Sequence, residues 1–446
     1  MHFAQFSSEQ FAGWSNRDLA MILAKRIAVL FFTAVILIFL LRSRTPDYHS
    51  TLQGLSQTVG LGELIEDEEE RSQQQQNDAT SLQQPAVQIP PPSSNQLYQN
   101  ASSFPPPNLK PVGVPYTRAL IAGRLTTENT TWLTSYLPTD PTLTPYIYVV
   151  NDHSAPLHTP MNKGHEAMVY LTYILEHYDS PNLPDVNIFM HPHQIAWHNP
   201  ELLNHDSAET LKRLSNERVV RHGYMNIRCH WDPGCPERIH PGNSYKDTMK
   251  REEIALARAW AEMFPEDPIP EVIAAPCCAQ FAVSRERLRS IPKYKFQRYR
   301  DWLVRTKETD WISGRVFEYL WHKIFTHQDK LCLDARSCYC DGYGICFEAD
   351  AYEIWFDNHH WWRKRIKELE EWEERAALID AVGNWKKIEQ MQLDIPLPGR
   401  NWELKREIDE RFQLLVSLRT EALKNGTDPE IRARIAGRPW GLGDGY

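Results

Sequence analysis

Between Tyr146 and His198 the chain carries two short apolar runs around one apolar helix, and no other stretch constrains the fold as tightly. The first run is Tyr146-Ile147-Tyr148-Val149-Val150-Asn151-Asp152, and the second is Asp185-Val186-Asn187-Ile188-Phe189-Met190-His191-Pro192-His193. Between them, Asn162-Lys163-Gly164-His165-Glu166 opens the helix. Strand-length runs that end in polar residues and flank a helix-length run form the pattern of a β-α-β unit. In such units the residues just past the strand ends converge on one crevice, where ligands bind. Asp152, Asn162, Glu166, His191 and His193 fall at those ends, so a functional site is expected there.

The same grammar continues outward. Ala119 to Gly123 reads as a first strand, Thr127 begins a short helix, and Tyr146 to Asn151 is the second strand. With Asn162 as N-cap, the central helix runs to about Tyr178 and is apolar on nearly every side, which predicts burial on all faces. Val186 to Met190 is the third strand. Helices are expected over Ser207 to Glu217, Lys246 to Met263, Phe296 to Thr306 and Gly314 to Phe325. Cys277 to Val283 reads as a strand running into a helix begun by Ser284. Alternating strands and helices predict an α/β fold, a mostly parallel sheet with flanking helices. Charged helices over Ile366 to Ala377 and Trp402 to Asn425 form a C-terminal helical extension, packed on the body or facing a partner, with a merely solvated charged helix as the commoner alternative.

The N-terminal quarter has a different character. Ile27 to Leu41 is a run of fifteen uncharged, mostly apolar residues bounded by Lys25-Arg26 and by Arg42 and Arg44. A bilayer core asks for roughly 20 residues, but apolar Leu19 to Ala24 and snorkelling Lys25 and Arg26 extend the reach. No small-residue cleavage site follows Leu41, so an uncleaved transmembrane signal anchor is expected rather than a signal peptide. From Asp47 to Pro115 an acidic run, a glutamine tract and nine of the 31 prolines predict a disordered, extended stem. The expected layout is a cytosolic tail over 1–26, the anchor over 27–41 and the stem over 42–116. An α/β lumenal domain over 117–348 and the helical extension over 349–446 follow.

Cysteine usage sets the orientation. All eight cysteines lie after residue 228, and an even, closely spaced set suits disulfides and an oxidising compartment. Cys229 and Cys235 are expected to pair locally, as are members of the cluster Cys332, Cys338, Cys340 and Cys346, while Cys277 and Cys278 complete the disulfide set. Zinc binding is disfavoured by five-residue gaps wider than the usual two to four. The glycosylation triplets at Asn100, Asn129 and Asn425 agree with a lumenal body. A single-pass type II membrane protein of the Golgi or endoplasmic reticulum follows. The net charge of -9 argues against a nucleic-acid partner, because phosphate binding needs a basic face.

Four motifs in order carry a resemblance. Asn162-Lys163-Gly164-His165-Glu166-Ala167 with Tyr170-Leu171 and Tyr173-Ile174 comes first, then Leu183-Pro184-Asp185 with Ile188-Phe189. Cys277-Cys278-Ala279-Gln280-Phe281-Ala282-Val283-Ser284 and Gly314-Arg315-Val316-Phe317-Glu318-Tyr319-Leu320-Trp321 follow. Over roughly residues 118 to 348 this order resembles a fungal family of uncharacterised proteins carrying a domain of unknown function. More distantly it is similar to glycosyltransferase-like proteins in which an Asn-x-Gly-Arg-Glu helix start and a Gln-Phe-x-Val-Ser strand recur. His165 stands where those proteins have Arg, and a neutral imidazole cannot reproduce a guanidinium fork on phosphate.

The candidate chemistry follows from those places. A metal-dependent glycosyltransferase would hold Mn²⁺ or Mg²⁺ with oxygen ligands. No Asp-x-Asp follows a strand, leaving Asp152 with His191 and His193 as the expected metal group; the alternative is that Asp152 caps a turn and the histidines are hydrogen-bonded loop residues. His193 is also a candidate general base near neutral pH. Glu318, set in an aromatic helix, is expected either as a catalytic base or as the partner of Arg285 or Arg315. Asn162, Lys163, Glu166, Trp197, His198 and Gln280 are the expected substrate-binding residues. His165-Glu166 lacks the second histidine of a zinc protease, since position 169 is Val. No phosphate-cradling glycine loop precedes a helix, and no Gly-x-Ser-x-Gly elbow is present; Gly441-x-Gly443-x-Gly445 has no strand-helix setting. The leading expectation is transfer of a sugar from a nucleotide sugar to a glycan or glycoprotein. The rival is a non-catalytic lumenal protein that binds partners or acts as a scaffold.

Overall fold

The computed structural model describes residues 104, 107–241 and 251–441. The tail and anchor expected over 1–41, and the stem up to its last residues, lie outside the described residues. Among the described residues no helix is long and apolar enough to cross a membrane.

Five strands form one sheet: β1 Arg118–Arg124, β2 Leu143–Val149, β3 Val186–Phe189, β4 Tyr224–Asn226 and β5 Phe281–Ser284, in the order β2-β1-β3-β5-β4. β1 pairs in parallel with β2 and β3, and β5 runs antiparallel to both β3 and β4. Four strands therefore share one direction and β5 alone opposes them. The fold is α/β with a mostly parallel sheet, as the alternation predicts. β4 was not legible in the sequence, because three residues are too few to carry a period.

Fourteen α-helices complete the described residues: α1 Trp132–Tyr136, α2 Glu166–His177, α3 Ser207–Arg213, α4 Asn216–His222, α5 Arg251–Met263, α6 Arg285–Ser290, α7 Lys293–Arg305, α8 Asp310–Glu318, α9 Trp321–Thr326, α10 Ala335–Tyr343, α11 Ala351–Val382, α12 Trp385–Gln390, α13 Arg400–Asn425 and α14 Pro429–Ile435. Side chains alternate across the strands, so two cores form. Ala119, Ile121, Phe189, Phe281 and Val283 face α2, α5 and α7 to α9. Leu120, Val186, Ile188, Met225 and Ala282 face α3, α4, α10, α11 and α13. The sheet is the middle of three layers, which is why its strands read as nearly continuous apolar runs.

α2 bears out the all-round burial: every residue from Ala167 to Leu175 is buried. Its entry differs from expectation. Asn162 is exposed and is not the N-cap; the chain instead turns through Gly164 at φ 69° and His165 at φ 51°. A Cβ on Gly164 would lie 2.5 Å from Leu303 Cδ1 of α7, so glycine is required by conformation and by space.

The cysteines form Cys229–Cys338, Cys235–Cys332, Cys277–Cys278 and Cys340–Cys346. The expected local bond between Cys229 and Cys235 is corrected, because each reaches across to the segment around α10. One bond lies within the 332–346 cluster, as expected.

Candidate functional site

The carboxyl ends of β1 and β3 meet the amino end of the reversed strand β5, and the polar residues of the chain's middle gather at this rim. The turn Cys277-Cys278-Ala279-Gln280 feeds β5 and lies beside the loop from Met190 to Asn199 that leaves β3. Gln280 is fully buried and ties the two together. Its Oε1 accepts from His191 N at 3.1 Å, while its Nε2 donates to Asn199 Oδ1 at 3.1 Å and to His198 O at 3.3 Å. A buried amide with both ends engaged holds geometry, so Gln280 fixes the position of the histidine loop.

His191 places Nε2 at 3.0 Å from Cys278 O and packs its ring against His198, with centroids 4.3 Å apart. Burial pushes the His198 imidazole well below its ordinary range, reinforced by His191, and its Nε2 has no hydrogen-bond partner among the described residues. His165 is lowered in the same way by burial, and its Nε2 is also buried without a partner. Both rings are therefore neutral near neutral pH. His193 is partly exposed, and its Nε2 faces Glu128 Oε1 at 3.4 Å. Burial raises the Glu128 carboxyl, but the His193 hydrogen bond and the Leu125 N–H outweigh it, holding the group below the usual carboxylate range.

Glu318 reaches the same turn from the end of α8. Its Oε1 accepts from Cys278 N at 2.9 Å and its Oε2 pairs with Arg315 Nη1 at 3.3 Å. Burial would raise this carboxyl; Arg315, the Cys278 N–H and Arg238 prevail and hold it low. Of the two sequence readings of Glu318, the ion pair with Arg315 is present, while Arg285 pairs with Asp185 at 2.6 Å and with Glu286. Behind the turn, Arg228 pairs with buried Glu201 at 3.0 Å and lies over the Trp197 ring at 5.3 Å. The same guanidinium meets Cys277 Sγ at 3.5 Å and Cys278 Sγ at 3.8 Å.

The expected residues thus divide. His191, His193, Trp197, His198, Gln280 and Glu318 gather around this rim. Asp152 is half-buried and accepts from Ser154 N and Oγ, capping its own turn. Lys163 donates to Thr306 O, and Glu166 opens α2. Among the described residues no three His, Cys, Asp or Glu side chains converge to hold a metal ion, so Asp152, His191 and His193 do not form one ligand set. Glu128 and Arg228 were missed by sequence reasoning. Glu128 sits in a segment that reads as a helix start, and Arg228 follows the three-residue strand that periodicity cannot detect.

Residues 120–341 match the model of a family described as "Protein of unknown function (DUF3431)", nearly the span over which the four motifs resemble an uncharacterised domain. No curated protein and no solved structure matches the chain.

Proposed function

We propose that the α/β body is a glycosyltransferase-like enzyme that moves a sugar from a nucleotide sugar to a glycan or glycoprotein. The observation that carries the reading is the His193–Glu128 pair at the carboxyl end of the central strand β3. An imidazole oriented by a carboxylate, partly open to solvent and backed by a rigid loop, is the pairing a general base requires. In the proposed step the acceptor hydroxyl gives its proton to His193 as its oxygen bonds to the anomeric carbon and the nucleotide diphosphate leaves. Glu128 orients the ring and stabilises the imidazolium. Glu318, held ionised by Arg315, is a weak base; its proposed role is positioning, since it anchors the turn that carries His191 and Gln280. A divalent metal is not given a step, because the donor set at this rim does not fit one. The same reading places the chain as a single-pass type II membrane protein of the Golgi or endoplasmic reticulum, supported by the apolar run 27–41 and the four disulfides.

The test is a panel of nucleotide sugars with the purified full chain, following donor binding by calorimetry and donor consumption by mass spectrometry. One donor is expected to bind and turn over. His193→Ala should lower kcat by about 10²- to 10⁴-fold with KM little changed, and Glu128→Gln should produce a smaller loss. Absence of binding or consumption across the panel would overturn the enzyme reading.

A non-catalytic binding role keeps one observation in its favour. The helical extension leaves Trp402, Leu397 and Trp385 exposed at 73%, 69% and 60%, apolar side chains open to a partner, and aromatic ones are enriched at interfaces.

A further inference from the structure

The bond between adjacent Cys277 and Cys278 differs in kind from the other three. Cys229–Cys338 and Cys235–Cys332 join segments 109 and 97 residues apart, and Cys340–Cys346 lies fully buried. Those bonds restrain the unfolded chain or are shielded from solvent. A bond between neighbours closes a ring of two residues, so opening it separates no elements and meets little resistance from the fold. Cys277 is half-buried, and so open to a reagent, whereas Cys278 is 8% exposed.

Two further features point to exchange chemistry here. Arg228 Nη1 stands at 3.5 Å from one sulfur and 3.8 Å from the other, and a guanidinium beside sulfur stabilises the thiolate that exchange requires. The turn also holds two consecutive non-glycine residues at positive φ, Cys278 at 87° and Ala279 at 50°. Such a backbone persists only while its surroundings enforce it. Cys278 donates its N–H to Glu318, and its carbonyl meets His191 Nε2. Gln280, two residues on, holds the histidine loop.

We propose that Cys277–Cys278 is a reversible dithiol–disulfide exchange site, served by a dithiol reductant, whose state sets the order of the loop from Met190 to Asn199. A donor thiolate attacks Cys277 Sγ, the more accessible sulfur, and the Cys278 thiolate leaves next to Arg228. The donor's second thiolate then attacks the donor sulfur of the mixed bond and releases Cys277. Two electrons and two protons pass to the protein pair, and the donor leaves as its own disulfide. The reduced turn is free to leave its positive-φ conformation, loosening the contacts to His191, Glu318 and Gln280. The site stands whether or not the domain transfers sugars.

The test uses the full chain purified without reductant, exposed to graded dithiothreitol, quenched by alkylation and mapped by peptide mass. Cys277 and Cys278 should be alkylated together at about a tenfold lower dithiol concentration than Cys229, Cys338, Cys340 and Cys346. After full reduction their alkylation rate should rise about one pH unit or more below the free-cysteine range, with Cys235, released from Cys332, as the internal comparison. Hydrogen exchange over residues 190–199 should quicken on reduction, and in the Cys277→Ser/Cys278→Ser variant it should be fast at every dithiol concentration. Reduction only in step with the other three bonds, an ordinary alkylation profile, or unchanged exchange over 190–199 would each overturn the proposal.

Discussion

At the scale of single residues, buried charge and buried imidazole set how the molecule meets acid. Asp341 is enclosed by Arg221 at 2.7 Å, Arg218 at 3.1 Å and Arg438 at 3.3 Å. Burial opposes its ionisation, yet the guanidinium groups prevail and bring the carboxyl down to about 2; Glu201 reaches about 2 through Arg228. His230, His322 and His359 are lowered to about 4, in each case first by burial. In both sets the folded pKa lies below the unfolded one, so the unfolded chain binds more protons and stability falls as pH drops. The histidine contribution is complete above about pH 6.5 and is lost toward about pH 4. The two carboxylates act next, from about pH 4 toward about pH 2. Thermal melts across pH should decline in both windows, and a flat profile between pH 6.5 and pH 5 would contradict the histidine part. Asp341→Asn should cost about 3–5 kcal/mol in denaturant melts, because it strands several cations in a closed space. None of this was visible from composition: the sequence names an Asp in a cysteine-rich segment but not the three arginines that fold around it.

Among elements, legibility tracked length and period. Strands β1 and β3 and the body of α2 read nearly as they stand, since each has a run long enough to show its apolar pattern, while β2 begins three residues before its expected start and α2 four residues after. The stretch from Gly314 to Phe325 reads as one helix and is two, α8 and α9, with Tyr319 and Leu320 between them; both halves are apolar, so periodicity shows no break. Likewise, the charged segment read as Ile366 to Ala377 belongs to the 32-residue α11. Of the candidate site, the strand-end histidines were legible because position in a β-α-β unit is a local property. Glu128 and Arg228 were not, since their partners arrive from distant sequence. The end of α13 offers a sharp test of packing. A Cβ on Gly426 would fall 1.9 Å from the Gly344 carbonyl oxygen, and backbone cannot swing aside as a side chain can. Gly426→Ala should cost about 1–3 kcal/mol in denaturant melts, whereas exchange of exposed Gly399, whose neighbourhood is open, reports only its positive φ.

For the whole molecule, the Cys229–Cys338 bond and the C-terminal helices act on the same layer. Cys338 of α10 carries one bond, and Cys346, just past it, donates its N–H to Ala422 O of α13 at 2.8 Å. Tyr352 and Trp355 of α11 and Leu415 of α13 enter the core beneath the sheet. Removal of residues 349–446 should therefore yield a body that aggregates or melts early, checked by expression and calorimetry of the shortened chain. Cys229→Ser/Cys338→Ser should cost about 4–5 kcal/mol by the loop-entropy account. Loss of the Cys277–Cys278 bond should leave global stability nearly intact, a contrast measurable in one set of melts.

The reversed strand β5 has a consequence for how such a protein can change over time. Because it enters the sheet at the rim where its neighbours exit, the connection leading into it arrives at that rim directly, held at its end by the pairing of Ile273 with Ile239 and of Ala274 with Lys330. Residues added or removed in its open part, 265–271, should leave every strand in place while changing the approach to the turn from Cys277 to Gln280. Diversity among related chains should concentrate in that connection, and grafting it between them should carry ligand preference along.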